Sequence, residues 1–192
     1  YFENYYLKEF IVVNTSDETK DEFTVFTDKM LFEGNILKHE SLPFSFEIMA
    51  YYPNCRPSKR VYLGEESFHG MAKNFFLQEL DPEKEYEQNI SGIMYRLHGT
   101  DNQDGIYMNY VGQPVTQSLS YKGQDYYLIL RRDRTYLPFS IKLIDFKKIL
   151  HSGTNIAKSY SSEIHLIENE ISRRVLIQMN EPLRHKGYTF YQ

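Results

Sequence analysis

Hydrophobic and polar positions alternate through the last third of the chain, Leu137 to Gln192, in runs separated by turn residues. Phe139, Ile141 and Leu143 alternate with Ser140 and Lys142. Ile164 and Leu166 alternate with Glu163 and His165, Val175, Ile177 and Met179 share one face, and Tyr188 and Phe190 share another. Successive side chains of a strand point to opposite faces, so each run predicts a half-buried antiparallel strand. Ser152-Gly153, Glu168-Asn169 and a Pro182 to Gly187 loop supply the turns. Ile144 and Phe146 fall out of phase with Phe139, Ile141 and Leu143, and a β-bulge near Leu143 would return both sets to the core. The strand pattern runs to Gln192, which suggests a piece of something longer.

Upstream, Tyr5–Val13 and Phe23–Phe26 read as strands, and polar Asn14–Asp21 as the loop between them. Leu42-Pro43-Phe44-Ser45-Phe46-Glu47-Ile48 is echoed by Leu137-Pro138-Phe139-Ser140-Ile141-Lys142-Leu143. In both, proline stands at the strand entrance, where its missing N–H is tolerated. The echo suggests two similar packed β units. Tyr51–Arg60 reads as a loop, with two prolines and several charges. Glu66–Leu80 predicts a short helix with Ser67 as cap and Phe68, Met71, Phe75 and Phe76 on one face; a strand over Asn74–Leu80 is the rival. Ile90–Leu97, Ile106–Val111 and Tyr126–Arg131 follow as strands, with turns at Asp104-Gly105 and Lys122-Gly123. This is a meander, not a series of βαβ units. The expected fold is mainly β, an antiparallel sandwich with at most one or two short helices, forming one domain over 1–192 or two halves, 1–100 and 101–192.

Composition agrees: 17 tyrosines and 13 phenylalanines, with no tryptophan, favour pleated surfaces. A net charge of −4 gives no footprint for nucleic acid. Arg131-Arg132-Asp133-Arg134 reads as a solvated loop. Cys55 stands alone, so no internal disulfide forms. Arg56, Lys59 and Arg60 lie near it, and cations lower a thiol's pKa, which makes Cys55 a candidate thiol. No run of about 18 apolar residues is present.

Enzyme signatures are absent: there is no phosphate-binding glycine loop, nucleophile elbow, HExxH or CxxC. Asp101–Gly105 lacks the ligand spacing of a calcium loop and reads as a turn. His39, His69, His98, His151, His165 and His185 form no close pair at metal-ligand spacing. His185 lies between Arg184 and Lys186 in what reads as a basic, exposed loop.

The ordered series LPFSI…DF, a short glycine turn, SYSSEI and MNEPLRHKGYTFYQ resembles the ResB-like domain of System II cytochrome c biogenesis proteins. The residues carrying the ending are Asn180, Pro182, Leu183, Gly187, Tyr188, Tyr191 and Gln192. The resemblance covers about the last 56 residues and is diffuse upstream. It implies a protein of the cytoplasmic (inner) membrane with this domain on the periplasmic side, between transmembrane helices absent from this stretch. It also implies a scaffold or chaperone role, in which a CcsA-type partner brings haem to the CXXCH thiols of apocytochrome c. Haem is the implied cofactor. His185 is then a candidate iron ligand, and Arg184 and Lys186 are candidate partners for its propionates. Asn180, Pro182, Gly187, Tyr188 and Gln192 are expected to be architectural. The domain is not expected to be catalytic by itself. Two other readings fit the tyrosine-rich composition: a β-sandwich surface for adhesion, or a β-barrel holding a small ligand.

Overall fold

In the computed structural model, which describes residues 1–17, 19–61 and 66–192, the apolar run Phe10-Ile11-Val12-Val13 is the buried half of the first strand. That strand, β1 (Phe2–Asn14), is followed by β2 (Glu22–Thr27), β3 (Ile36–Leu37), β4 (Ser45–Tyr52) and β5 (Cys55–Lys59). Then come β6 (Phe75–Glu79), β7 (Gly92–His98), β8 (Gly105–Tyr110), β9 (Gln117–Tyr121) and β10 (Gln124–Thr135). Two four-stranded antiparallel sheets result, ordered β2-β1-β10-β9 and β3-β4-β7-β8, with β5 and β6 as a separate ribbon. Among the described residues none closes into a barrel. The small-ligand barrel reading is therefore set aside.

Both four-stranded sheets contribute to one core. Phe10, Val12 and Phe26 from the first sheet meet Phe46, Ile48, Tyr95 and Leu97 from the second. The aromatic rings pack edge to face, with Phe10 to Phe46 at 5.2 Å and Phe44 to Tyr126 at 4.9 Å between centroids. Such pairs add stabilisation beyond the area they bury. A second cluster, including Cys55, Phe68, Leu77, Ile106 and Met108, lies under the β5–β6 ribbon.

Residues Phe2–Thr135 form one compact unit and Tyr136–Gln192, with Tyr1, form another. The second contains β11 (Ser140–Leu150), β12 (Ala157–Glu168) and β13 (Ile171–Gln178) as a three-stranded antiparallel sheet. A small hairpin of β14 (Leu183–His185) and β15 (Tyr188–Phe190) completes it. Its core is Phe139, Ile164, Leu166, Ile177 and Leu183, with Tyr188 and Phe190 packed against them.

Four expectations are corrected. The Glu66–Leu80 helix is instead a short 3-10 turn, Gly70–Lys73, followed by strand β6, because Phe75–Glu79 pairs with β5. The loop expected at Tyr51–Arg60 is largely strand; Pro57 is accommodated because a two-stranded ribbon has a free edge. Arg131–Arg134 is the end of β10: Arg131 pairs with Glu9 at 2.7 Å, and Arg134 with Glu3 at 3.1 Å. The bulge near Leu143 is present, since pairing with β12 jumps from Leu143↔Ile164 to Asp145↔Glu163. It does not bury both sets: Leu143, Ile144 and Phe146 are exposed.

Candidate functional site

A concavity of the smaller unit lies where the β12–β13 turn meets the β14–β15 hairpin. Glu168, Asn169, Arg173 and His185 line a cavity of about 350 Å³ with Leu166 and Ile171. Pairing of Glu168 with Ile171 closes a two-residue turn, Asn169-Glu170, with φ of +47° and +66°. Pairing of His185 with Tyr188 closes another at Lys186-Gly187, with φ of +48° and +82°. Positive φ at both central residues suits the right-handed twist of hairpins and is least costly at glycine. The two turns bring their charged residues together.

Glu168 Oε2 lies 3.0 Å from His185 Nε2, and Lys186 Nζ binds the other carboxylate oxygen. Arg173 Nη2 is 3.3 Å from His185 Nδ1. A guanidinium can only donate, so Nδ1 accepts and the ring proton sits on Nε2, where it is donated to Glu168. The ring also packs edge-on against Phe139, with centroids 4.8 Å apart. The hydrogen bond from Lys186 holds the Glu168 carboxyl below the usual carboxylate range; burial opposes this, and His185 adds to it.

His185 is therefore half-buried and engaged at both nitrogens, not a free base in a solvated loop. As placed, both of its ring nitrogens are hydrogen-bonded, and it offers iron no free lone pair. This cluster does not fit haem. Arg184 is exposed on the other side of β14, and Lys186 is occupied by Glu168. Among the described residues no group of three His, Cys, Asp or Glu side chains could hold a metal.

The other singled-out residues are dispersed. Cys55 opens β5 and is buried, and burial pushes its thiol up to about 12, opposite to the effect expected of its cationic neighbours. Asn180 sits in a turn at φ +68°, where Gln178 and Glu181 exchange backbone hydrogen bonds of 3.2 and 3.0 Å. Pro182 follows that turn. Tyr188 packs on Phe139 at 6.0 Å, and Gln192 accepts a hydrogen bond from Ser162 Oγ of β12. His165 bonds Ser172, His98 bonds Glu47, and His69 bonds Ser67. Near the expected turn at Asp104, burial pushes the carboxyl up, but hydrogen bonds from Thr100 and Gly99 outweigh it and hold the group low.

Glu168 and Arg173 were not singled out from the sequence. The only local signal was the Glu168-Asn169 turn, which does not reveal which hairpin it will face.

Residues 112–192 match the model of the ResB-like family. The match begins upstream of the resemblance read from the sequence and takes in β9, β10 and the whole Tyr136–Gln192 unit. No curated protein matches the chain. The ResB-like match supports a protein related to cytochrome c biogenesis, in a family that is membrane-associated. Among the described residues no helix is long and apolar enough to cross a membrane.

Proposed function

We propose that this chain is an extracytoplasmic scaffold or chaperone domain of a membrane-bound cytochrome c biogenesis protein. It would assist haem delivery and attachment to apocytochrome c alongside a CcsA-type partner. The ResB-like match over 112–192 carries the reading. The geometry is consistent with a scaffold: the family-motif residues Asn180, Leu183, Tyr188 and Gln192 all serve the hairpin and its core. Haem ligation would belong to the partner, because His185 is engaged by Glu168 and Arg173.

Cells lacking the full-length protein should lose covalently bound haem on their c-type cytochromes, read by haem staining, and regain it on complementation. Unchanged covalent haem would overturn the proposal. Absorbance titration of the chain with haem addresses ligation separately. The response should be the same for wild type, Cys55→Ala and His185→Ala. A saturable shift abolished by His185→Ala would move haem onto the hairpin.

A further inference from the structure

Strands β11 and β12 form a hairpin longer than the sheet that supports it. They pair from Ser140↔Ile167 to Leu150↔Ala157, but β13 pairs with β12 only between Glu168 and Ser161. The last three rungs, from Lys148↔Tyr160 outward, and the turn over 151–156 therefore have no third strand among the described residues. At about 3.3 Å per residue, those rungs project roughly 10 Å past the sheet before the turn begins. The turn is closed by the His151 N–H, which donates to Ile156 O at 3.0 Å, and Gly153 takes φ +74° within it. A two-stranded hairpin offers little burial of its own to apolar side chains.

The tip is nevertheless apolar, and it is cationic. Ile149 is 54%, Leu150 42% and Ile156 68% exposed. Residues 146–162 hold three lysines, Lys147, Lys148 and Lys158, and no carboxylate, in a chain of net charge −4. Lys147 reaches back to Asp145 at 3.3 Å; among the described residues neither Lys148 nor Lys158 is within ion-pairing distance of a carboxylate. The register puts Lys147 and Ile149 on one face of the hairpin. Alternation puts Phe146, Lys148 and Leu150 on the other, where Phe146 stacks on Tyr160 at 6.1 Å. Each face thus presents aliphatic and ammonium groups together.

That two-faced arrangement selects the occupant. A strand or flat surface of a protein partner covers one face and leaves the other's aliphatic and ammonium groups in water. The headgroup region of a bilayer surrounds a protruding tip. It takes aliphatic side chains inward, while lysines keep their ammonium groups among the phosphates and lay their methylene stems along the apolar layer. Lysines are drawn to such a surface when its lipids are anionic. We infer that the tip of the β11–β12 hairpin is a membrane-surface anchor that inserts Ile149, Leu150 and Ile156 among anionic lipids. Residues 112–192 match a membrane-associated family, but the hairpin's shape and charge carry the assignment without the cytochrome c biogenesis reading.

The chain has no tryptophan, so Ile156→Trp gives the tip a fluorescent reporter, and Val115→Trp, at an exposed position in the larger unit, gives a control. The intact chain carrying Ile156→Trp should cosediment with vesicles of equal parts phosphatidylglycerol and phosphatidylcholine, and its emission should shift to the blue. The Val115→Trp emission should not move, and pure phosphatidylcholine vesicles should bind about tenfold more weakly or less. A net charge of −4 gives the chain as a whole no attraction to anionic lipid, so binding reports a local patch. Lys148→Glu with Lys158→Glu should weaken binding about tenfold or more. Both positions are exposed, and the variant's unfolding curve should match that of the unsubstituted chain. No binding to either vesicle, full binding by the lysine variant, or a shift from Val115→Trp instead would overturn the inference. So would a blue shift that needs only a higher protein concentration, which would make a second copy the occupant. A shift produced by polyglutamate and not by vesicles would overturn it too, in favour of an acidic protein segment.

Discussion

Leu42–Ile48 and Leu137–Leu143 begin with the same four residues, Leu-Pro-Phe-Ser, and end in opposite circumstances. In the first, Phe44, Phe46 and Ile48 are all buried; in the second, Phe139 is buried, Ile141 is half-buried and Leu143 is exposed. Both strands even break register at the same point. Pairing of β4 with β7 skips Met49, and pairing of β11 with β12 skips Ile144, the corresponding position. What differs is the surroundings. β4 lies inside its sheet and faces the β1 sheet across the aromatic core, whereas β11 is an edge whose unit has only a small hairpin to cover it. Local pattern sets the strand and its bulge; coverage is set by what the rest of the chain places opposite.

The largest break in that comparison is Phe46→Ala, which leaves a cavity among Phe10, Phe26, Phe44 and Tyr95. It should cost about 3–5 kcal/mol in denaturant unfolding, against less than about 1 kcal/mol for Phe146→Ala. Equal losses would mean β11 is as covered as β4.

Gly92→Ala tests packing at the start of β7. An added Cβ would lie 2.6 Å from Cys55 Sγ and 2.7 Å from Leu77 Cδ1, so about 1–3 kcal/mol should be lost. Wild-type stability would show that the ribbon over Cys55 is loose. The same closeness predicts that native Cys55 resists alkylation at neutral pH and reacts only on unfolding, given a thiol pushed up to about 12. Fast labelling of the native chain would contradict this.

In the smaller unit, Glu170 holds a left-handed φ of +66° at the turn position that glycine occupies in Lys122-Gly123 and Lys186-Gly187. Glu170→Gly should therefore raise stability by up to about 1 kcal/mol in thermal unfolding. A loss would show that the Glu170 side chain contributes more than its backbone strain costs.

The smallest effect concerns Glu168. Its folded pKa is depressed, so its contribution is full above the unfolded value, about 4.3, and fades as pH falls through the lower folded value. Glu168→Gln should weaken the smaller unit at neutral pH and remove this acid-range slope from its unfolding midpoint. An unchanged slope would place the titration on another carboxylate.

Much of the β framework was legible because alternation is a local property. Ile164 and Leu166 marked β12, and Lys122-Gly123 marked the turn between β9 and β10. The bulge was legible too, from the phase change after Leu143, but its consequence was not, because no local signal says that an edge lacks cover. Phe68, Met71, Phe75 and Phe76 fit a helical period, yet pairing of β6 with β5 overrode it. Cations beside Cys55 were visible in sequence, whereas the burial that outweighs them is tertiary. At the candidate site His185 was legible, but its partners Glu168 and Arg173 stand 17 and 12 residues away and reach it only when two hairpins meet.

The most direct test of the contrast is residue-resolved hydrogen exchange on the intact chain at neutral pH. Paired amides of β4 should exchange only by global unfolding of their unit, while β11 amides facing away from β12 should exchange at nearly open rates. Uniform protection along β11, equal to that of β4, would mean the edge is already covered and would contradict the account.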